Sequence, residues 1–261
     1  MALKFADTHC HLDFECFRAN LDAVIQAAIT LGVERFLIPG TQASSWGYQL
    51  DVCGRYPSRL FPALGIHPYF VEQHADCSFQ VLSEAYARGR GAYVAIGETG
   101  LDGRYPGSFS LQQALFEQHM ELAVLHDLPL VLHAVRAHAE VLATLTRYPG
   151  ARGVVHGFSG SYEVAMAYIE KGFYLGVGGV VVRANAHKTR RALANVPSGR
   201  LLLETDSPDM GLPGENPPNT PSRIPTICQA LARLRGEDEA ALAARCQANA
   251  DALFAWNNQK V

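Results

Sequence analysis

The sequence predicts an α/β fold, a (β/α)8 barrel, on three observations. Eight short, nearly continuous apolar runs recur through the 261 residues. Segments with helical spacing lie between several of them, and ionisable residues collect repeatedly where the runs end. The runs are 3–6, 35–39, 60–65, 92–97, 129–132, 153–155, 173–177 and 201–203. Short runs of this kind suit strands of a parallel sheet buried on both faces. Residues 20–31 place Leu21, Val24, Ile25, Ala28 and Leu31 on one helical face, and 111–126 repeat the pattern with Leu115, Met120, Leu122 and Leu125. Shorter helical segments cover 141–145 and 164–169. Two more follow the last run, 224–234 and 237–256, with Pro225 suited to a first turn. Alternation of this kind over about 250 residues fits a barrel, with a doubly wound open sheet as the alternative. No repeat, charge block or Ser/Gly-rich linker divides the chain, so residues 1–261 are expected to form a single domain. The Pro/Gly-rich stretch 207–221 resembles an active-site loop.

Composition narrows the function. With 48% hydrophobic and 18% charged residues, the chain has the makeup of a globular protein rather than a disordered one. Its net charge of −3 argues against binding nucleic acid through a broad basic surface, though not against a local phosphate site. No apolar run is long enough to span a membrane, and the N-terminus lacks the pattern of a signal peptide. The cysteines are Cys10, Cys16, Cys53, Cys77, Cys228 and Cys246, with no CxxC pair. Reduced thiols in a cytoplasmic enzyme are therefore expected, with no obligate protein partner.

The chemistry lies at the ends of the runs. The first ends in Asp7-Thr8-His9-Cys10-His11, the third in His67, the fourth in Glu98, the fifth at His133, the sixth at His156 and the eighth in Glu204-Thr205-Asp206. In a barrel enzyme the catalytic groups come from these strand ends. In an extended segment His9 and His11 project to one side and can share a metal, while Cys10 faces the core. Glu98 can bridge two metals, His133 and His156 can hold the second, and Asp206 can complete the first. Four histidines and two carboxylates crowded at one barrel mouth would carry a large desolvation cost unless neutralised, and two divalent cations would neutralise them. Mixed imidazole and carboxylate ligands suit Zn, Mn, Fe or Co, whereas Mg favours oxygen.

The stretches DTHCHLD (7–13), LGIHP (64–68), IGETGLD (96–102), PLVLH (129–133), VVHGFSGS (154–161) and LLLETDSP (201–208) resemble the TatD family of metal-dependent deoxyribonucleases. The match runs in order over almost the whole chain, and the segment 207–210 is similar to the YjjV branch of that family. The resemblance implies a TIM barrel of the amidohydrolase type holding two divalent metals (Zn, Mn or Mg). His9, His11, Glu98 and Asp206 would bind one, and Glu98, His133 and His156 the other. His67 matches the position that faces the substrate phosphate. Val135 stands where the family often has a phosphate-binding arginine, and Arg136, one residue later, is the expected substrate contact beside His67.

The expected function is therefore phosphodiester hydrolysis of DNA, or of another phosphoester, by a metal-activated water. Asp206 would act as proton acceptor, with Glu98 and His67 in catalytic roles. Glu204 would serve as proton relay, as support for the site, or as half of a buried ion pair. Asp102 and Asn249 are expected to hydrogen-bond the scaffold. The alternative is hydrolysis of a small ester, amide or lactone on the same barrel.

Overall fold

The computed structural model describes residues 3–74, 78–89 and 91–256. Eight parallel strands lie in sequential order: β1 (Phe5–Asp7), β2 (Val33–Pro39), β3 (Leu60–Leu64), β4 (Ala95–Asp102), β5 (Leu130–Val135), β6 (Gly153–Val155), β7 (Phe173–Val177) and β8 (Leu201–Leu203). The first and last strands meet through Thr8 N–H to Leu203 O at 2.9 Å, Asp206 N–H to His9 O at 2.8 Å and His11 N–H to Ser207 O at 2.7 Å. The sheet thus curls into a (β/α)8 barrel and not the open alternative. All eight expected runs are strands, and β4 extends past its expected end to Asp102.

The helices are α1 (Leu21–Thr30), α2 (Trp46–Arg55), α3 (Ser78–Arg88), α4 (Phe109–His126), α5 (His138–Arg147), α6 (Tyr162–Glu170), α7 (His187–Asn195), α8 (Ile224–Arg235) and α9 (Glu239–Phe254). Pro225 sits in the first turn of α8, and Gly236, with φ 65°, ends that helix in the left-handed region. The apolar spacing did not single out α2, α3 or α7. Their inner faces explain why: Gln49, Ser78 and Thr189 are buried there. Gln49 donates to Ile38 O at 2.8 Å and Ala63 O at 2.9 Å, so a polar side chain occupies a core position by satisfying strand carbonyls.

Inward side chains including Leu37, Phe61, Val131, Val154 and Leu202 pack with Leu253 and Phe254 at the end of α9 and with Trp256 just beyond it. This layer fills the barrel beneath the strand ends that carry the ionisable groups. Asn249 of α9 donates to Ser198 O at 3.0 Å and Leu201 O at 2.9 Å, tying α9 to the start of β8 as expected of a scaffold residue. Two glycines make room for the site. A Cβ on Gly65 would collide with the backbone of Gly97 and Glu98, and one on Gly176 would occupy the space of the Glu204 carboxylate. No helix among the described residues is long and apolar enough to cross a membrane.

Asn249→Ala leaves two carbonyls without their donor, one of them buried. It is expected to cost about 1–3 kcal/mol of stability while leaving metal content at the far end of the barrel unchanged. Chemical denaturation alongside elemental analysis checks both.

Candidate metal centre

The ionisable residues at five strand ends converge on Glu98, which is 2% exposed. Its Oε2 lies 3.2 Å from His9 Nε2 and 3.7 Å from His11 Nε2. Its Oε1 lies 2.8 Å from His156 Nε2, 3.0 Å from His133 Nδ1 and 3.2 Å from His67 Nε2. The Asp206 Oδ1 joins the first group, 3.4 Å from His9 Nε2 and 3.8 Å from His11 Nε2. The two oxygens of one carboxylate are therefore divided between two clusters of donors.

Local backbone explains the convergence. The β4–β5 register shifts between Ile96 and Thr99. There Glu98 N–H reaches across to Gly40 O at 2.8 Å, and Gly40 N–H returns to Gly97 O at 3.1 Å. At the seam, buried Asp7 accepts from His9 N–H at 3.2 Å, Thr205 N–H at 3.0 Å and the Thr205 hydroxyl. Asp206 stands at φ 57°, in the left-handed region that non-glycine residues seldom adopt.

The donor set fits divalent cations. His133 Nε2 is 3.0 Å from Asp102 Oδ2, which places the proton of the neutral ring there and leaves the Nδ1 lone pair facing Glu98 Oε1 and His156 Nε2, the latter at 3.1 Å. His9 Nε2 and His11 Nε2 stand 3.2 Å apart. So many lone pairs at such distances need a shared positive charge. Without metal, protons take that part. Burial opposes charge on His156, but Glu98 outweighs it and raises the pKa to about 10. Burial likewise opposes Glu98 ionisation, yet His156, His67 and His9 hold its pKa well below the usual range. Burial lowers His9 strongly and His11 to about 4, keeping both in the neutral form that binds metal.

A cleft of about 600 Å³ opens over this centre, lined by His11, Phe14, Tyr69, Arg104, Val135 and Met210, among others. A second depression, about 670 Å³ between α6 and α7, contains none of these residues.

The profile of the family described as TatD related DNase matches residues 6–255. The chain belongs to the TatD family. It is 39% identical over 258 residues to the metal-dependent hydrolase YjjV of Escherichia coli strain K12, covering 97% of this chain and 99% of that relative. It is 34% identical over 250 residues to a protein of Erwinia billingiae named 3′-5′ ssDNA/RNA exonuclease TatD, covering 91% and 94%. The crystal structure of the Escherichia coli YjjV protein superposes with a TM-score of 0.92 at 38% identity, over 98% of this chain and 99% of that one. A TatD family hydrolase from Entamoeba histolytica, 20% identical, shares the fold with a TM-score of 0.87 over 97% of this chain and 99% of that one. The protein is a metal-dependent hydrolase of the TatD family.

Within this TatD barrel, His9, His11, His67, Glu98, His133, His156 and Asp206 are brought together as the sequence implied. Glu204 is buried, accepts a hydrogen bond from Gly157 N–H, and has no cation at ion-pairing distance among the described residues. The buried ion pair weighed for it does not form. Arg136 is exposed, adopts φ 52° and does not line the cleft. The left-handed turn carries it away, and the arginine of the cleft wall is Arg104 from the β4 loop. Asp102, expected to serve the scaffold, grips His133 instead and is itself held by Arg104. Asp102 lies four residues beyond Glu98 on the same strand, so the two-residue alternation of a longer β4 would have revealed it. Four of the cysteines, Cys10, Cys53, Cys228 and Cys246, are buried and free, Cys16 is exposed and free, and Cys77 lies outside the described residues.

Burial raises Asp7 and Asp206 to about 7 and Glu204 to about 8. A raised folded-state pKa means that the folded chain keeps a proton the unfolded chain has lost, so stability falls as pH climbs between the two values. Lowered histidines act in the opposite sense, but only below the ordinary imidazole value of about 6.5. Above it His156 and Glu204 dominate. Chelated protein should therefore lose stability between about pH 6.5 and 8, and saturating divalent metal should reduce that loss by competing with the proton on His156. Thermal melts at both pH values, with chelator and with metal, check this. Chelated protein that is more stable at the higher pH contradicts it.

Proposed function

We propose that this protein hydrolyses phosphodiester bonds at the ends of single-stranded nucleic acid, DNA foremost. The observation that carries the reading is the division of the Glu98 oxygens between two clusters of ligand atoms under an open cleft. The name of the Erwinia relative supports the substrate class. His9, His11, Asp206 and Glu98 Oε2 would hold one ion, and His133, His156 and Glu98 Oε1 a second. Such ions, when bound, acidify water and draw charge from a phosphoryl oxygen.

The residues of the chain do the rest. Asp206, at the edge of the centre with 19% of its side chain exposed, is placed to accept a proton from water entering the cleft. His67 Nδ1 accepts Tyr69 N–H at 2.9 Å, so the neutral ring carries its proton on Nε2 and can donate to a phosphate oxygen. Asp102, bonded to both His133 and Arg104, fixes the ring orientation of His133. Glu204 lies behind the centre, raised to about 8 by burial, so near neutral pH it holds a proton and is placed to relay one. The four buried, free cysteines support a reducing, cytoplasmic setting.

Asp206→Asn keeps the size of the side chain and removes its basicity. With both ions supplied in excess, turnover of end-labelled single-stranded DNA should fall about 10²–10⁴-fold, with secondary structure unchanged by circular dichroism. Turnover within tenfold of the parent would transfer the role to Glu204. Wild-type protein that hydrolyses small esters or lactones but no strand would favour the alternative substrate class.

A further inference from the structure

Arg104 is the one lysine or arginine among the described residues lining the cleft, whose carboxyl side chains are Glu98, Asp206 and Asp209. Its Nε lies 2.9 and 3.0 Å from the two Asp102 oxygens, while Nη1 has no hydrogen bond among the described residues. The guanidinium is thus fixed at one edge and free at the other, with 49% of the side chain exposed. An anionic ligand entering the cleft meets a fixed positive fork only here.

Beside it stands an aromatic residue with no partner on part of its surface. Tyr69 lines the cleft and is 52% exposed. Two rings hold it in place: Phe70 at a centroid distance of 4.9 Å and Tyr105 at 5.2 Å, both edge-to-face. Arg104 lies 5.7 Å from the Tyr105 ring centre, so arginine and both tyrosines form one connected group. The group is also tied to the metal centre on both sides. Tyr69 N–H bonds His67 Nδ1, and Arg104 reaches His133 through Asp102. A rigid, half-exposed aromatic beside a half-free guanidinium, each hydrogen-bonded to a group contacting the centre, matches a ligand with a flat ring and a phosphate a few bonds apart.

Resting on the nuclease reading above, we propose that Tyr69, buttressed by Tyr105, stacks on the unpaired base of the terminal nucleotide while Arg104 binds a strand phosphate. A paired terminal base would have to leave its duplex to stack there, so the subsite selects frayed or single-stranded ends.

The test uses metal-saturated full-length protein and single strands labelled at the end opposite the one attacked. Each is made with an intact terminus or with one abasic terminal residue, at the 3′ or the 5′ end, and release of the first residue is followed. Tyr69→Ala should raise KM on the intact strand about 5- to 150-fold, the range for loss of one base stack, with kcat nearly unchanged. Wild type on the abasic strand should show a similar loss, Tyr69→Ala should add nothing to it, and Tyr69→Phe should restore the intact-strand value. Arg104→Gln should make the salt dependence of strand binding shallower by about 0.7 in log–log slope, one phosphate contact. Losses from Tyr69→Ala and from base removal that multiply, or a KM within twofold of wild type on the intact strand, overturn the stacking role. An unchanged salt slope overturns the phosphate role. Wild type that leaves every strand whole overturns the nuclease reading and this subsite with it.

Discussion

Glu98 has four imidazoles within 3.2 Å of its two oxygens, from His9, His67, His133 and His156, and almost no contact with solvent. A carboxylate so buried is costly unless positive charge surrounds it. A proton on His156 supplies that charge in part, and divalent ions would supply it more fully. The same requirement explains the other groups at the barrel mouth: neutral His9 and His11 with lone pairs turned inward, Asp206 raised to about 7, and Glu204 set behind them.

The barrel is arranged to meet this demand at one end and to be ordinary at the other. Beneath the strand ends the interior is aliphatic and aromatic, closed by Phe254 and Trp256. At the mouth the irregularity of β4 and the Asp7–Thr205 hydrogen bonds replace regular packing with polar contacts. Asp206 departs from favoured backbone geometry at that seam. Such departures persist where surrounding hydrogen bonds over-determine them, and the seam supplies those bonds.

Much of this was legible in the residue order. Buried parallel strands are short apolar runs whatever their neighbours, so all eight were visible, and the candidate ligand residues follow the runs directly. What was not legible depended on backbone path or on distant partners. Arg136 looked like the phosphate contact because it is adjacent to Val135, but a left-handed turn carries it out of the cleft. Asp102 was expected to serve the scaffold because the apolar run stops at Gly97, whereas β4 continues to Asp102. The helices α2, α3 and α7 were obscured by polar side chains at buried positions, Gln49 above all. The partnership of Asp7 with Thr205 joins opposite ends of the chain and leaves no local trace.

The central claim is that Glu98 divides its oxygens between two cation sites. Metal stoichiometry after saturation and removal of free ion tests it most directly, measured by elemental analysis on wild type, His133→Ala and Glu98→Ala. The account predicts two ions per wild-type chain, about one in His133→Ala, and weakened retention of both in Glu98→Ala, each variant keeping native secondary structure. A wild-type chain that holds at most one ion at saturation, or a Glu98→Ala variant that retains two as tightly as wild type, would contradict it.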